Sequence, residues 1–419
     1  MRFGILQRYI MGEVFRAFFL ALVTITCVFV LMMVMATANR IGLAPGDIIR
    51  LIPYLIPGSL PFTVPVSLLF AVTVVYGRLA SDNEVIAAKG AGLSVWTLLW
   101  PTILMALVLS VVLSFATSEA IPNANFAAKK VMFDNMEDLF YKTLKKDLVF
   151  DTKKWPFLIK VKDVKDRVMI GPTFKHRNPK YVARPDGGPD DTGAFDMIVM
   201  AKEARLEFAT VPGDTKDEPV VRIHFVGGTM SQSGPLPPQV SLNGTTLEMP
   251  IGTIGDIAGR KTIEEMTIPE MREAEQANRE LIEHERLRQA IAASMWIGSG
   301  RLHKVDWPSF QTAFRQQDYW KMECRKYQTE TQMRLAMAWG SLFFVLIGAP
   351  VGILFARRDF LSAFISCFMP IIMVYYPLML FGVNLGKEDI LHPILALWSG
   401  NLVLWLGACF WALPPVVKH

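Results

Sequence analysis

The chain has 419 residues, 52% of them hydrophobic and 19% charged, with a formal net charge of +5. That apolar share exceeds what a soluble domain carries and is concentrated in blocks, so the composition specifies an integral membrane protein. The small positive balance is spread over loops and gives no support to nucleic-acid binding.

Six blocks without Asp, Glu, Lys or Arg run over 17–39, 51–77, 93–118, 335–356, 360–386 and 390–417. Each reaches the roughly 20 residues that a bilayer-spanning helix needs. The pattern predicts an α-helical membrane protein with six transmembrane helices arranged 3+3. Spans 1–3 fall in 1–118, a large extracytoplasmic domain in 119–334, and spans 4–6 in 335–419. The short loops on the side of the N-terminus carry Arg2, Arg8, Arg16, Arg78, Lys89, Arg357, Arg358 and Lys418, against Arg40, Arg50 and Lys387 on the other. Positive loops resist translocation, so both termini are expected in the cytoplasm. The basic start and Ala36-Thr37-Ala38 mimic a secretory signal with its cleavage site. The apolar run, however, exceeds the 7–15 residues or so of a signal core, so it reads as the first span, with Gln7-Arg8-Tyr9-Ile10 as an interfacial lead.

Arg40 follows the first span at the expected level of the outer headgroups, as either a snorkelling anchor or an anion contact. Pro53, Pro57, Pro61 and Pro65 open the second span at four-residue spacing. Each removes a backbone hydrogen bond, leaving two readings: a row facing protein or a cavity, or a kinked lead-in. Between the second and third spans, residues 77–92 are short, polar and helix-compatible. They read as a cytoplasmic surface helix, with Ser81, Asp82 and Asn83 as cap candidates, Val85, Ile86 and Ala88 as an apolar stripe, and Gly90 and Gly92 as a stop.

Beyond 119, Phe157–Lys162 alternates Phe157, Ile159 and Val161 with Lys160 and Lys162, as a half-buried strand requires, and 195–202 and 221–225 repeat the pattern. Turn signals stand at Gly187-Gly188-Pro189, Pro212-Gly213-Asp214 and Gly227-Gly228. Short strands without intervening helices predict an all-β sandwich or jelly roll over about 150–255. From about Thr262 the composition turns to Glu, Arg, Gln and Ala, predicting a helical extension over about 262–330. One helix starts at Thr267 with Pro269 in its first turn, and another runs from about Ser309 into the fourth span.

No catalytic or metal constellation is present. A Walker A sequence is missing, since Gly386-Lys387 is followed by Glu388, and so are His-Glu-x-x-His and the Gly-x-Ser-x-Gly elbow. The six histidines lack ligand spacing. Cys27, Cys367 and Cys409 lie in spans and Cys324 stands alone outside them, so no disulfide is expected. Asn243-Gly244-Thr245 matches a glycosylation acceptor, a tripeptide common by chance. Span interiors without Asp, Glu, Lys or Arg argue against an ion-driven carrier, the last block holding only His392. The chain therefore reads as a membrane machine whose energy arrives through a cytoplasmic surface, with neither catalytic residues nor a cofactor of its own.

Gly4-Ile5-Leu6-Gln7-Arg8-Tyr9-Ile10, the Gly77–Gly92 segment, and Arg334-Leu335-Ala336 leading into Leu346-Ile347-Gly348-Ala349-Pro350-Val351-Gly352 together resemble the LptF/LptG family of lipopolysaccharide-export permeases. The resemblance covers both membrane triplets; in the middle it rests on the strand pattern and Ala201-Lys202-Glu203-Ala204-Arg205-Leu206. Ala338-Trp339 stands where many relatives show a proline, and the 262–330 region is longer than usual. The resemblance implies a multi-pass protein of a Gram-negative-type inner membrane, paired with a second such permease around a lipid cavity lined by the first and fifth spans. A dimeric cytoplasmic nucleotide-binding subunit, which binds the ATP and Mg, would drive both. It further implies a periplasmic jelly roll that accepts lipopolysaccharide or a related glycolipid and passes it to a bridge protein of similar fold. Residues 77–92 match the family's coupling helix, with Glu84 at its acidic position and Arg78, Ser81, Asp82, Lys89 and Gly92 around it. Arg40 and Arg50 at the cavity rim, and Ile159 and Val199 inside the sheet, are the lipid-contact candidates. The competing class is a mechanotransmission or scaffold protein that shares a coupling helix but moves no lipid; its usual four-span layout fits six spans poorly.

Overall fold

In the computed structural model the described residues are 4–41, 45–134, 137, 140–141, 144–145, 148–150, 157–177, 195–212, 217–232, 239–242, 244–250, 261–298, 307–355, 360–412 and 414. They form two compact units, one of 1–34, 52–125 and 263–419, the other of 35–51 and 126–262. The helical extension after 262 thus groups with the apolar helices and not with the sheet. The turn signals at Gly187-Gly188-Pro189 and Gly213-Asp214, Asn243, the cations Arg357, Arg358 and Lys418, and the side chains of Arg40 and Arg50 lie outside the described residues.

Among the described residues six helices are long and apolar enough to cross a membrane: Ile5–Ala36, Ile52–Ser81, Val95–Lys130, Trp307–Leu354, Ile365–Lys387 and Pro393–Phe410. They belong to α1 (Ile5–Ile41), α2 (Pro45–Ser81), α4 (Val95–Phe115) with α5 (Ile121–Asp134), α7 (Trp307–Leu354), α8 (Phe360–Pro370) with α9 (Tyr376–Lys387), and α10 (Pro393–Gly407). Two further helices, α3 (Glu84–Gly90) and α6 (Ile268–Gly298), are too short or too polar to span. Two of the composite helices are joined by π turns, at Ala116–Ala120 and Ile371–Tyr375. The basic lead at 7–10 is the first turns of α1 and no separate element. All four prolines sit within α2, with Pro53 exposed, Pro57 and Pro61 half-buried and Pro65 buried. Four-residue steps drift by about 40° on a 3.6-residue helix, so the row winds from the outer to the inner face.

In this unit the helices approach through small residues. A Cβ on Gly348 would lie 2.7 Å from Leu69 Cδ1, and one on Gly352 2.9 Å from the Thr73 carbonyl oxygen, so the Gly-x-x-x-Gly pair brings α7 onto α2. Between α2 and α4, the Tyr76 hydroxyl donates to the Leu98 carbonyl at 2.7 Å and lies 2.9 Å from Thr102 Oγ1. The expected start of α6 is realised as a capping box: the Thr267 amide donates to Glu270 Oε2 at 2.8 Å and the Glu270 amide to Thr267 Oγ1 at 3.4 Å. The helix expected from Ser309 is the 48-residue α7, which runs unbroken into the fourth apolar span.

The second unit is built on nine antiparallel strands: β1 (Val149–Phe150), β2 (Phe157–Lys160), β3 (Asp163–Lys165), β4 (Val168–Ile170), β5 (Thr173–Arg177), β6 (Phe195–Pro212), β7 (Asp217–Gln232), β8 (Gln239–Leu242) and β9 (Thr246–Pro250). The long β6–β7 hairpin serves two rows of strands. Its 197–200 and 228–231 stretches complete the row β1-β2-β5-β6-β7-β8, while 203–204 and 220–224 complete β3-β4-β6-β7-β9. The changeover falls at Lys202 opposite Gly227, which takes φ 60°, and at Gly228, where a Cβ would lie 2.7 Å from the Met200 carbonyl oxygen. Only glycine meets both demands without strain. Phe174 of the first row and Phe225 of the second then meet edge to face at 5.4 Å, so both rows close on one apolar core. The alternation read from sequence holds: Ile159, Val161, Val199, Ile223 and Phe225 are buried, while Lys160, Lys162 and Met200 are exposed.

Candidate functional site

The polar stretch between the second and third spans is not one helix over 77–92. Gly77–Ser81 continues α2, and a separate seven-residue helix, α3, follows. The separation is made by Asn83, whose φ of 60° lies in the left-handed region that Asn tolerates better than most side chains. Ahead of it the Arg78 carbonyl accepts both the Ser81 hydroxyl at 2.8 Å and the Asp82 amide at 2.9 Å. Of the three cap candidates, Asn83 takes the cap position but makes no side-chain cap bond. At the other end Gly92 has φ 80°, its amide donates to the Lys89 carbonyl at 2.9 Å, and the Leu93 amide donates to the Ala88 carbonyl at 3.0 Å. This bond pair is a Schellman closure, for which glycine at the left-handed position is the favoured residue. Ser94 then caps α4 by accepting from the Trp96 amide at 3.3 Å. Two left-handed corners therefore bracket α3.

Val85 and Ala88 are buried in a cluster with Ile10 and Val14 of α1, Leu79 of α2 and Leu98 of α4. Ile86, expected in the same stripe, is 59% exposed and faces outward. Steps of three residues share a helix face and a step of one does not, which explains the difference. Glu84 and Lys89 are half-buried on α3, Asp82 is exposed, and Glu84 forms no ion pair with a described residue. Arg78 points elsewhere: its Nη2 lies 2.7 Å from Glu13 Oε2 on α1, and Glu13 also holds Arg16 at 3.3 Å. The candidate set thus divides into Glu84 and Asp82, whose carboxylates form no ion pair with a described residue, Lys89 in the last turn of α3, and Arg78, Ser81 and Gly92, which build the surface. Glu13 escaped the sequence reading, although a lone carboxylate among Arg2, Arg8 and Arg16 was its visible signal.

A second polar centre also went unassigned. Arg334 is 7% exposed and its Nε donates to Glu330 Oε1 at 2.9 Å. Its terminal nitrogens donate to the carbonyls of Met266 at 2.7 Å, Ile263 at 2.8 Å and Glu264 at 3.1 Å. A buried charge needs this number of partners. The residues it grips are the first of the helical unit after 262, so Arg334 fastens the returning chain to the head of the fourth span. The signal was an i,i+4 acid–base pair at the border of an uncharged block.

The lipid-contact candidates Ile159 and Val199 are 0% and 1% exposed, in one cluster with Met169, Phe174, Leu206 and Phe225. That cluster is not lined by strands alone. Phe140, Tyr141 and Leu144 enter it from helical residues. Arg40 and Arg50 stand in the last turn of α1 and the first turns of α2.

With this arrangement in view, the family model described as the lipopolysaccharide export system permease LptF/LptG matches residues 8–414 of the chain. No curated protein matches it.

Proposed function

The chain belongs to the LptF/LptG family of lipopolysaccharide export permeases, and from that premise we propose that it is one of two permeases in an ATP-driven exporter that lifts lipopolysaccharide out of the inner membrane. The observation that carries the reading is the family match over 8–414, which takes in the six apolar helices, α3 and the sheet together. In this proposal both termini and α3 face the cytoplasm, three spans precede and three follow a periplasmic jelly roll, and the partner permease closes a shared lipid cavity. A separate dimeric ATPase seats on α3, meeting Glu84 with a basic side chain, while Asp82 and Lys89 flank the contact. Arg40 and Arg50 hold lipid phosphates at the cavity rim. The sheet takes the extracted acyl chains and hands them to a bridge protein by strand addition at an edge.

The energetics require an external source of work. Each buried methylene exposed to water costs about 0.8 kcal/mol, so a lipid with several chains does not leave spontaneously. The chain offers no nucleotide site in its sequence, which is why the ATPase is assigned to a partner. The test is reconstitution with a second permease, the ATPase and a bridge protein in vesicles containing lipopolysaccharide. ATP-dependent release of lipopolysaccharide to the bridge is expected. ATP turnover that rearranges the partners without moving lipid would replace this reading with mechanotransmission.

A further inference from the structure

The apolar interior of the sheet is filled by its own chain. Glu137, Phe140, Tyr141 and Leu144 follow the i, i+3, i+4, i+7 spacing of one helix face, and all lie on helical residues. Phe140, Tyr141 and Leu144 are 3%, 5% and 0% exposed within the cluster that also holds Ile159 and Val199. The Phe140 ring meets Phe150 of β1 at 5.0 Å. Glu137 pairs with Arg167 at 3.3 Å, and the Arg167 side chain is 50% exposed.

The Tyr141 hydroxyl marks how this helix is held. It donates to the Leu206 carbonyl at 3.0 Å and accepts from the Leu206 amide at 2.7 Å. β4 pairs with β6 only at Ala204 and Glu203, so beyond that point a single hydroxyl does for Leu206 what a neighbouring strand would do. Burial pushes the phenol up to about 12, so it keeps its proton, and with it the donor, at physiological pH. A buried amide and carbonyl left without partners are costly, so whatever replaces the helix must offer Leu206 a substitute.

We propose that the helical residues Glu137, Phe140, Tyr141 and Leu144 belong to a displaceable plug that occupies the acyl-chain site of the sheet until a lipid chain, matched to the same apolar walls and presenting a hydroxyl group to Leu206, takes its place. This rests on the reading of the sheet as the lipid acceptor. The plug's buried chemistry is the template for the ligand: hydrocarbon against Ile159, Phe174 and Val199, one hydroxyl at Leu206, and no charge inside.

The experiment uses the assembled transporter in vesicles with a photoreactive lipopolysaccharide. In a Leu144→Cys chain, maleimide labelling is read on the 137–150 peptide by mass spectrometry, and hydrogen exchange of the same peptide is read in the unaltered chain. During ATP turnover labelling should rise about tenfold over the level with an ATPase-dead partner, and exchange of 137–145 should rise with it, while the β6–β7 hairpin keeps its protection. Unchanged labelling and exchange while the lipid crosslinks to the strands would overturn the plug and leave the lipid-accepting sheet standing. Loss of protection across the hairpin as well would also overturn it, since the whole unit would then be opening. No crosslink and no change would remove the lipid-accepting sheet and the plug together.

Discussion

In the sheet unit the interior is built from large side chains such as Phe174, Phe225, Met169 and Ile159, whereas in the helical unit the closest approaches among the described glycines fall at Gly340, Gly348, Gly352 and Gly382. The helical unit also leaves many large side chains outward: Phe15, Phe19 and Leu20 on α1 are 58%, 59% and 69% exposed. The difference follows from the two solvents. Water drives apolar side chains inward in the sheet, while hydrocarbon around a span gains nothing from hiding a leucine, so helices there associate through close backbone contact. Burial of bulk holds the sheet unit, whereas in the helical unit buried bulk such as Tyr76 and Phe344 is joined by close approach at glycines.

Removing bulk from the sheet should produce the largest effect. Phe225→Ala takes away a ring packed against Phe174 and is expected to destabilise the sheet unit by about 3–5 kcal/mol. Loss of protection in β6 and β7 by hydrogen exchange would report it, with the apolar helices unaffected. A small change would mean that the two rows do not share a core.

Adding bulk to the helices is the reverse operation. A Cβ on Gly382 would lie 2.5 Å from the Ala396 carbonyl oxygen, a backbone atom that cannot turn aside. Gly382→Val should cost about 1–3 kcal/mol, read as a lower melting temperature in detergent. Gly12→Val, where a Cβ meets nothing within 4 Å, is the control and should change little. Equal melting of both variants would contradict packing through small residues.

The same two solvents decide what the sequence revealed. Spans are announced by uncharged runs and strands by alternation, and both were legible at 51–77 and 157–162 because each pattern reflects one solvent boundary. The capping box at Thr267 and the helix entering the fourth span were legible through local chemistry. The boundary at Asn83 was not, because Ser81, Asp82 and Asn83 all suit a cap and the polar stretch carries no second periodicity. The alternation at Ile159 and Val199 pointed them inward but said nothing of what fills the inside, since Phe140, Tyr141 and Leu144 lie outside the strands that carry the pattern. Likewise the Arg334 grip on 263–266 and the Arg78 pairing with Glu13 join residues about 65 to 70 positions apart, and no local pattern encodes their partners.

A smaller effect is expected between these regimes, at the ion pair joining α1 to the end of α2. Glu13 is partly shielded and Arg78 about half-exposed, with side chains 22% and 48% exposed. Solvent screening leaves such a pair about 0–1 kcal/mol. Glu13→Gln should therefore leave the melting temperature within a degree or two, as a shift of about 2–4 °C corresponds to 1 kcal/mol in chains of 150–250 residues and less in longer ones. If it reduces lipid release per ATP in the reconstituted exporter without lowering ATP turnover, the pair ties the first span to α3. A large drop in melting temperature would instead make Glu13 part of the fold and place it with the packed interiors.

The smallest effect on the chain itself is expected at Glu84. Its helix is fixed by Asn83, by the Schellman closure at Gly92 and by burial of Val85 and Ala88, none of which involves the Glu84 carboxylate. Glu84→Ala and Glu84→Lys should leave melting and yield unchanged, because a surface position outside caps and cores shifts stability by about 0.5 kcal/mol or less. A carboxylate beside an anionic membrane face gains nothing from that surface, which attracts cations. It gains from a basic side chain on a docked subunit, where truncating one member of a desolvated pair costs about 2–5 kcal/mol and reversal adds repulsion. Copurification of the ATPase with the permease should therefore fall for Glu84→Ala and fall further for Glu84→Lys, and an Asp or Glu placed at the facing base should restore the Lys variant. The charge swap is the decisive arm: if both single variants bind the ATPase like the parent, α3 docks through Ile86 and its other exposed surface, and Glu84 is a solvated residue.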